Sequence, residues 1–289
     1  MNVSTRALDP DMTQLRIIVT DAVSGQVLVN EYPAQREPEG GYRLSVRTGE
    51  LNFYIVLNEP ASLTGQLSGV HPNSALRELI LNRADLPVVE LPENSTTRTN
   101  FPAVVFSRPR FRNSGVAGIG EASVDGGNTL RGSVHINMDR MAATVTLAVR
   151  SKSQEDADTL TMEKVRLVNV PRYAFVKQKA YDSQEFDPEL IHKTSLSFPA
   201  NTDSYTKVLG DFAVPEYLLA DPADNEKALA MKLEVRYNSK NVEYYIPVRG
   251  NIGLEDYSLR RNNHYLVKAT LATEGETVHT PEVTYSVAD

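Results

Sequence analysis

The chain has 289 residues, of which 41% are hydrophobic and 23% are charged, and its formal net charge is -7. This length allows two ordinary domains, while the acidic balance disfavours a general nucleic-acid-binding role, since that affinity comes mainly from clustered Lys and Arg. The absence of Cys excludes disulfide bonds, thiolate metal sites and a cysteine nucleophile.

The first 14 residues are polar and contain the turn signal Asp9-Pro10-Asp11, so we predict a flexible N-terminal arm. This segment lacks the apolar centre of a signal peptide, and the sequence contains no apolar run of about 18 residues that would predict a transmembrane helix. Two alternatives therefore stay open: a cytosolic protein, or an exported protein whose signal has been removed.

Alternating apolar and polar residues predict the strands of the N-terminal half. The predicted strands cover residues 15–20, 27–29, 43–47, 51–57, 101–106 and 111–116. Residues 73–83 instead place Leu76, Leu79 and Ile80 at helical spacing, with Pro72 before the start. This pattern predicts one short helix whose apolar stripe lies on the sheet.

The C-terminal half shows the same alternation over longer stretches. The predicted strands cover residues 134–138, 141–149, 164–170, 231–237, 242–248, 265–271 and 283–287. The apolar parity changes between the first two, which predicts a bulge or kink near Asp139 and Arg140. Residues 177–205 are polar and contain Pro188 and Pro199, so we predict an irregular segment there.

Many short strands and little helix predict an all-β fold, most simply two stacked β-sandwich domains in tandem. We place the boundary at the end of the glycine-rich segment 115–127. Residues 1–128 would form the N-terminal domain, with its arm and its single helix, and residues 129–289 would form the C-terminal domain.

Residues suited to catalysis or metal binding occur without the spacing that such sites require. The five His are dispersed, neither HExxH nor GxSxG occurs, and no GK[ST] follows the glycine-rich segment. Asp221, Asp224 and Glu226 could ligate calcium, but the loop lacks the Gly and the terminal Glu of an EF-hand, which favours a solvated loop. We predict no catalytic residue, metal or cofactor, although a pair of glycosidase carboxylates leaves no signature in sequence.

Arg108, Arg110 and Arg112 alternate around Pro109 and have aromatic neighbours. One interpretation is a basic surface for a carbohydrate or an anionic partner. The other, which we favour, is the solvent-exposed face of an edge strand, because charged residues and Pro at an edge block unwanted strand pairing.

Several stretches of the chain, taken in order, resemble the fimbrillin family of Bacteroidales, the subunits of type V pili. These stretches are residues 15–28, 49–60, 73–83, 136–149, 165–176 and 260–271. In the last stretch, RRNNHYLVKATL, Arg261, Asn262 and Tyr265 match an Arg-Asn-x-x-Tyr segment of the family. We interpret these three residues as structural, fixing the turn before a strand.

The resemblance implies two tandem transthyretin-like β-sandwiches in an exported lipoprotein of the bacterial surface. Its function would be that of a structural or accessory subunit of a fimbrium, without catalysis, assembled by protease-triggered strand exchange and serving adhesion. Its partners would be other pilus subunits, joined by strand addition, and a host protein or glycan as receptor. It would reach the outer membrane only through a lipid anchor on the precursor.

Two short segments resemble the parts of the family that take part in assembly. Arg6-Ala7 resembles a cleavage site at which proteolysis removes a strand and opens a groove. Val283, Tyr285 and Val287 are the candidates for the donor strand that fills the groove of the next subunit. Unlike typical major subunits, the chain has no Trp and stops at Asp289, which implies either a shortened chain or an accessory, tip or anchor subunit.

Two alternatives belong to other functional classes. A surface glycan-binding β-sandwich lipoprotein would use exposed aromatic residues, and the 13 Tyr of the chain leave room for it. A β-sandwich hydrolase finds no support in any nucleophile or metal signature.

Overall fold

The fold is described by a computed structural model. The described residues are 2–4, 15–32, 41–44, 46, 49–70, 79–83, 103–105, 111–113, 123–125, 129–131, 133–135, 141–153, 159–175, 179–180, 186–187, 189–199, 201–237, 240–251, 255–274, 277–278 and 282–288. Across these ranges the chain consists of strands and one short helix, which confirms the predicted all-β fold.

The elements of the N-terminal part are short, with β5 the longest. They are β1 (Asn2–Ser4), β2 (Leu15–Asp21), β3 (Val27–Glu31), β4 (Gly41–Arg43), β5 (Gly49–Leu57), α1 (Ala61–Ser68), β6 (Ile80–Asn82), β7 (Ala103–Val105), β8 (Phe111–Asn113), β9 (Ser123–Asp125), β10 (Thr129–Arg131) and β11 (Ser133–His135).

Longer strands follow in the C-terminal part. They are β12 (Ala142–Ser153), β13 (Thr159–Val168), β14 (Tyr173–Phe175), β15 (Leu190–Pro199), β16 (Thr206–Pro215), β17 (Ala230–Tyr237), β18 (Lys240–Pro247), β19 (His264–Glu274), β20 (Thr277–Val278) and β21 (Glu282–Ala288).

The chain divides into two compact units. The first contains residues 1–81, 100–141 and 175–178, and the second contains residues 82–99, 142–174 and 179–289. The division into domains 1–128 and 129–289 stays a prediction. One of the boundaries between the compact units lies between Met141 and Ala142.

The main sheet of the first unit has the strand order β3-β2-β5-β7, with β8 also paired to β5. Leu15, Ile17 and Val19 of β2 pack with Phe53 and Ile55 of β5 in one buried cluster, as their alternation predicted. The opposite face of β2 is also buried, because the C-terminal end of α1 lies over it and accepts a hydrogen bond from β3.

The helix of this unit is not where the sequence pattern placed it. The predicted helix at residues 73–83 is wrong at its end, since Ile80–Asn82 forms β6, and residues 71–78 lie outside the described residues. The observed helix α1 begins after Pro60 and buries only Leu63 and Leu67, one turn apart. A short apolar run cannot distinguish helix from strand by periodicity, which explains the error.

The N-terminal segment is not a flexible arm throughout, since Asn2–Ser4 forms β1 within a three-stranded sheet. The remainder of the predicted arm, residues 5–14, lies outside the described part of the chain.

The second unit contains two sheets, ordered β16-β12-β19-β20, with β21 also paired to β19, and β15-β13-β17-β18. Each sheet has one apolar, buried face. The buried residues include Val145, Leu147, Val149, Tyr265 and Val267 on the first sheet and Met231, Leu233, Val235, Tyr244 and Ile246 on the second. These residues form the core of a β-sandwich.

Two other predictions for the C-terminal half of the sequence have different outcomes. The segment 177–205 is not irregular throughout, because β15 occupies Leu190–Pro199 and buries Phe198. The bulge predicted near Asp139 and Arg140 lies outside the described residues. A register shift does occur in β13 between Met162 and Lys164, so that Met162 and Val165 are both buried.

Candidate functional site

Strand β1 lies in the centre of its sheet. It pairs in parallel with β11, with Val3 opposite Val134, and antiparallel with β4, with Val3 opposite Tyr42. The predicted cleavage residues Arg6 and Ala7 follow β1 closely in sequence but lie outside the described residues. Because β1 has a neighbour on each side, its loss would leave two strands with unpaired backbone groups, about 10 Å apart at ordinary strand spacing.

The candidate donor residues lie on β21, which is paired antiparallel along β19. The register places Val283, Tyr285 and Val287 opposite Ala269, Val267 and Tyr265. Among the described strands, β19 is the only one assigned as a partner of β21. The C-terminal strand is thus an edge strand that completes its own sheet.

The turn before β19 is built by the segment that matches the fimbrillin pattern. Asn262 has a φ of 66° and donates its backbone N–H to the carbonyl of Ala142 at 3.0 Å. The hydroxyl of Tyr265 accepts the backbone N–H of Arg260 at 2.8 Å, and burial raises the pKa of this phenol. The interpretation of Asn262 and Tyr265 as structural residues is confirmed by these contacts.

Arg261 forms a buried ion pair that holds the same turn. Its Nε donates to Glu216 Oε2 at 2.8 Å, and its backbone N–H donates to Glu216 Oε1 at 3.1 Å. The side chains of Arg261 and Glu216 are 9% and 3% exposed. Since Glu216 directly follows β16, the pair connects the end of β16 to the start of β19.

A second buried ion pair lies in the first unit, on the face of β2 next to α1. Arg16 Nε donates to Glu59 Oε2 at 2.7 Å, and Arg16 Nη2 donates to Glu59 Oε1 at 3.0 Å. Arg16 Nη1 donates to Asn30 Oδ1 at 2.8 Å, and the hydroxyl of Tyr32 donates to Glu59. Asn30 in turn donates to the carbonyl of Leu67 at 2.7 Å. The network connects β2, β3 and α1.

Both charges of this network are stabilised in place. Burial alone would raise the pKa of Glu59, but the hydrogen bonds from Arg16, Tyr32 and Thr64 hold it below its usual value. Burial alone would lower the pKa of Arg16, yet the contacts with Glu59 and Tyr32 hold it above its usual value. Because both groups have hydrogen-bond partners and stay charged, they are suited to holding β2, β3 and α1 together rather than to transferring protons.

The other residues considered in the sequence make ion pairs and hydrogen bonds where the structure describes them. Lys227 Nζ lies 2.8 Å from Asp224 Oδ2, and Asp221 Oδ1 accepts a backbone N–H within the same loop. His264 Nε2 lies 3.0 Å from Thr146 Oγ1. The described residues contain no group of three or more His, Cys, Asp or Glu placed to hold a metal ion.

Of the three alternating arginines, Arg108 and Arg110 lie outside the described residues. Arg112 lies in β8, where its register partner on β5 is Glu50. Both β7 and β8 pair with β5 on the side away from β2, a position that agrees with the edge-strand interpretation. Over the ranges given above, no helix is long and apolar enough to cross a membrane.

Comparison with known proteins gives both sequence and structural relatives. No protein-family profile matches the chain. The major fimbrium subunit FimC of Porphyromonas gingivalis is 21% identical over 245 residues, which cover 84% of this chain and 49% of FimC. The chain therefore spans about half the length of the curated relatives it matches.

Two solved structures share the fold. A candidate cell adhesion protein of Parabacteroides distasonis has a TM-score of 0.64 at 12% identity, with 99% of this chain and 90% of that chain covered. The tip fimbrial protein Mfa3 of P. gingivalis, with a C-terminal truncation, has a TM-score of 0.59 at 15% identity, with 100% and 98% covered. The sequence similarity to FimC and the fold shared with these structures support the resemblance to the Bacteroidales fimbrillins that the motifs predicted.

Proposed function

We propose that this chain is a structural or accessory subunit of a surface fimbrium, without catalytic activity, and that it serves adhesion. The relatives support this role, since FimC is a fimbrium subunit and Mfa3 is a tip fimbrial protein. The buried charged residues support it too, because Arg16, Glu59, Arg261 and Glu216 all act within structural networks. The proposed location is the bacterial surface, with a lipid anchor on the precursor reaching the outer membrane.

The observation that carries the proposed assembly is the central position of β1, just before Arg6-Ala7. Cleavage after Arg6 separates β1 from the rest of the chain while leaving both of its neighbours, β4 and β11, in place. An incoming strand can then restore the lost backbone hydrogen bonds on two sides at once. This is strand addition, in which the main chain supplies affinity and the side-chain alternation supplies register.

The donor proposed for this groove is the C-terminal strand of another subunit, through residues equivalent to Val283, Tyr285 and Val287. Within one subunit β21 is already paired with β19 over residues 282–288. Donation therefore requires β21 to detach from its own sheet. An edge strand is suited to such detachment because it is held by hydrogen bonds on one side only.

Limited digestion with an Arg-specific protease tests the proposed assembly. We expect cleavage between Arg6 and Ala7, giving a product that begins with Ala7 by mass spectrometry and then forms oligomers by size-exclusion chromatography. Arg6→Ala is the matched control and should resist both steps, whereas Arg16, 3% exposed in a strand paired on both sides, should stay intact in either protein. A product that is not cut at Arg6, or that stays monomeric with every partner subunit, would contradict the proposal.

A further inference from the structure

The outer face of the β16-β12-β19 sheet carries a group of cations. Strand alternation puts Ala148, Arg150 and Lys152 on the face of β12 opposite to its apolar residues. The register sets Ala148 between Lys207 of β16 and Lys268 of β19. The small side chain of Ala148 thus lies between two lysines, and four cations from three adjacent strands share one face. We call Arg150, Lys152, Lys207 and Lys268 the cationic cluster.

Two of these cations are arranged around one aromatic ring. The guanidinium carbon of Arg150 lies 4.6 Å from the centre of the Tyr205 ring, and Lys268 Nζ lies 5.5 Å from the same point. Arg150 Nε donates to Thr270 Oγ1 at 2.9 Å, and the Tyr205 hydroxyl lies 3.1 Å from that same oxygen. Thr270 is buried and its backbone belongs to β19, so it holds both Arg150 and Tyr205 in defined positions.

The cluster is positive within a chain whose net charge is -7. Lys152 Nζ lies 2.5 Å from Asp203 Oδ1, and the Asp203 side chain is 91% exposed. Arg150 and Lys268 contact Tyr205 and Thr270, while the charge of Arg150 also acts on Asp203 and the register places Glu282 of β21 opposite Thr270. The four cations of the cluster outnumber these two carboxylates. A local excess of positive charge on an acidic protein attracts anions to that place in particular.

We propose that the cationic cluster binds an anionic polysaccharide, whose carboxylate or sulfate groups are held by Arg150 and Lys268 beside Tyr205. A protein partner is less suited, because lysine is depleted at protein interfaces, whereas three of the four cations of this cluster are lysines. Strand addition by a peptide at the β19 side of this face is also blocked, because β21 is already paired there. A linear polyanion can instead engage several cations of the face at the same time.

Binding can be measured with the whole chain on surfaces coated with dextran sulfate, polygalacturonate or neutral dextran, at low and at high salt. We expect binding to the two anionic polymers only, and weaker binding at high salt because salt screens these partly exposed contacts. Arg150→Gln with Lys268→Gln should lower affinity about tenfold, the effect of losing two partly exposed charge contacts. Lys227→Gln removes one positive charge from an exposed loop, as Lys268→Gln alone does from the cluster, and should lower affinity less than about twofold.

Each other outcome would overturn the proposal. An equal loss with Lys227→Gln would indicate general charge attraction, and equal binding to neutral dextran would exclude anion recognition. Stronger binding to polyglutamate or to anionic phospholipid vesicles would assign the face to a protein or a membrane instead. If the double variant lowers the unfolding temperature, the affinity of Lys268→Gln alone decides, because among the described side chains this substitution removes only the contact with Tyr205. The site does not depend on the proposed assembly, so polymerisation after cleavage and binding here can fail separately.

Discussion

The buried pair of Arg16 and Glu59 provides the sharpest test of what holds the first unit together. Their side chains are 4% and 1% exposed, and the pair connects β2 with the start of α1. Glu59→Ala removes the only described carboxylate that contacts Arg16 and also removes the acceptor of the Tyr32 hydroxyl. Leaving one buried charge uncompensated costs about 3–5 kcal/mol, so we expect a loss of this size in the free energy of unfolding.

Urea denaturation followed by circular dichroism measures this loss, and the two units require separate transitions to be fitted where they are resolved. Hydrogen–deuterium exchange should locate the change, with faster exchange in residues 15–32 and 59–70. Arg16→Met combined with Glu59→Leu replaces the whole pair by apolar side chains, so it should restore most of the stability that Glu59→Ala loses.

A matched surface variant separates the pair from charge effects in general. Asp224→Ala breaks an ion pair with Lys227 in an exposed loop, and we expect little change in stability there. The reasoning would be refuted if Glu59→Ala cost less than about 1 kcal/mol, the upper range of an exposed pair, or if exchange increased only outside β2, β3 and α1.

Three further predictions concern acid stability and two backbone positions. The pKa of Glu59 lies below its usual value of 4.5, so the stabilisation by its carboxylate is complete above that pH and is lost as the pH falls through the folded-state pKa. Urea denaturation at several pH values should therefore show the stabilities of wild type and Glu59→Gln converging in acid. A difference that stays constant with pH would contradict this. Gly250→Ala would place a Cβ 1.7 Å from the carbonyl oxygen of Ser258, so we expect about 3 kcal/mol or more of destabilisation in thermal unfolding, and a near-neutral effect would show that this backbone can move. Asn262 has a φ of 66°, so Asn262→Val should lower the free energy of unfolding by about 1–2 kcal/mol, while Asn262→Gly should leave it nearly unchanged. Equal losses for both variants in urea denaturation would assign the effect to side-chain contacts instead.

The strands were predictable where local alternation and burial agree. Leu15, Ile17 and Val19 show their pattern within five residues, and the structure buries all three in one cluster. The helix was mislocated because α1 contains Gly65 and only two buried apolar residues, whereas the apolar run near Leu79 imitates a helical stripe. At residues 61–68 and near Leu79, tertiary packing therefore outweighed the local preference for helix or strand.

The charged networks could not be read from sequence in the same way. Alternation assigns Arg16 to the polar face of β2, yet it is 3% exposed because Glu59, which lies 43 residues away, reaches it at the start of α1. Glu216 and Arg261 are 45 residues apart and meet in the same manner. The Arg-Asn-x-x-Tyr match did single out Arg261, Asn262 and Tyr265, but it contained no information on the partner carboxylate.

The sequence alone determined the all-β class, the alternating core strands and the resemblance to fimbrillins, because these depend on patterns within a few residues of each other. Only the tertiary structure decided that β1 lies between β4 and β11, that β21 completes the sheet of β19, and that cations from β12, β16 and β19 share one face. Strand order and register join residues more than a hundred positions apart, such as Val3 with Val134 or Arg150 with Thr270. Such pairings bring together residues that are far apart in the sequence, and no local pattern encodes them.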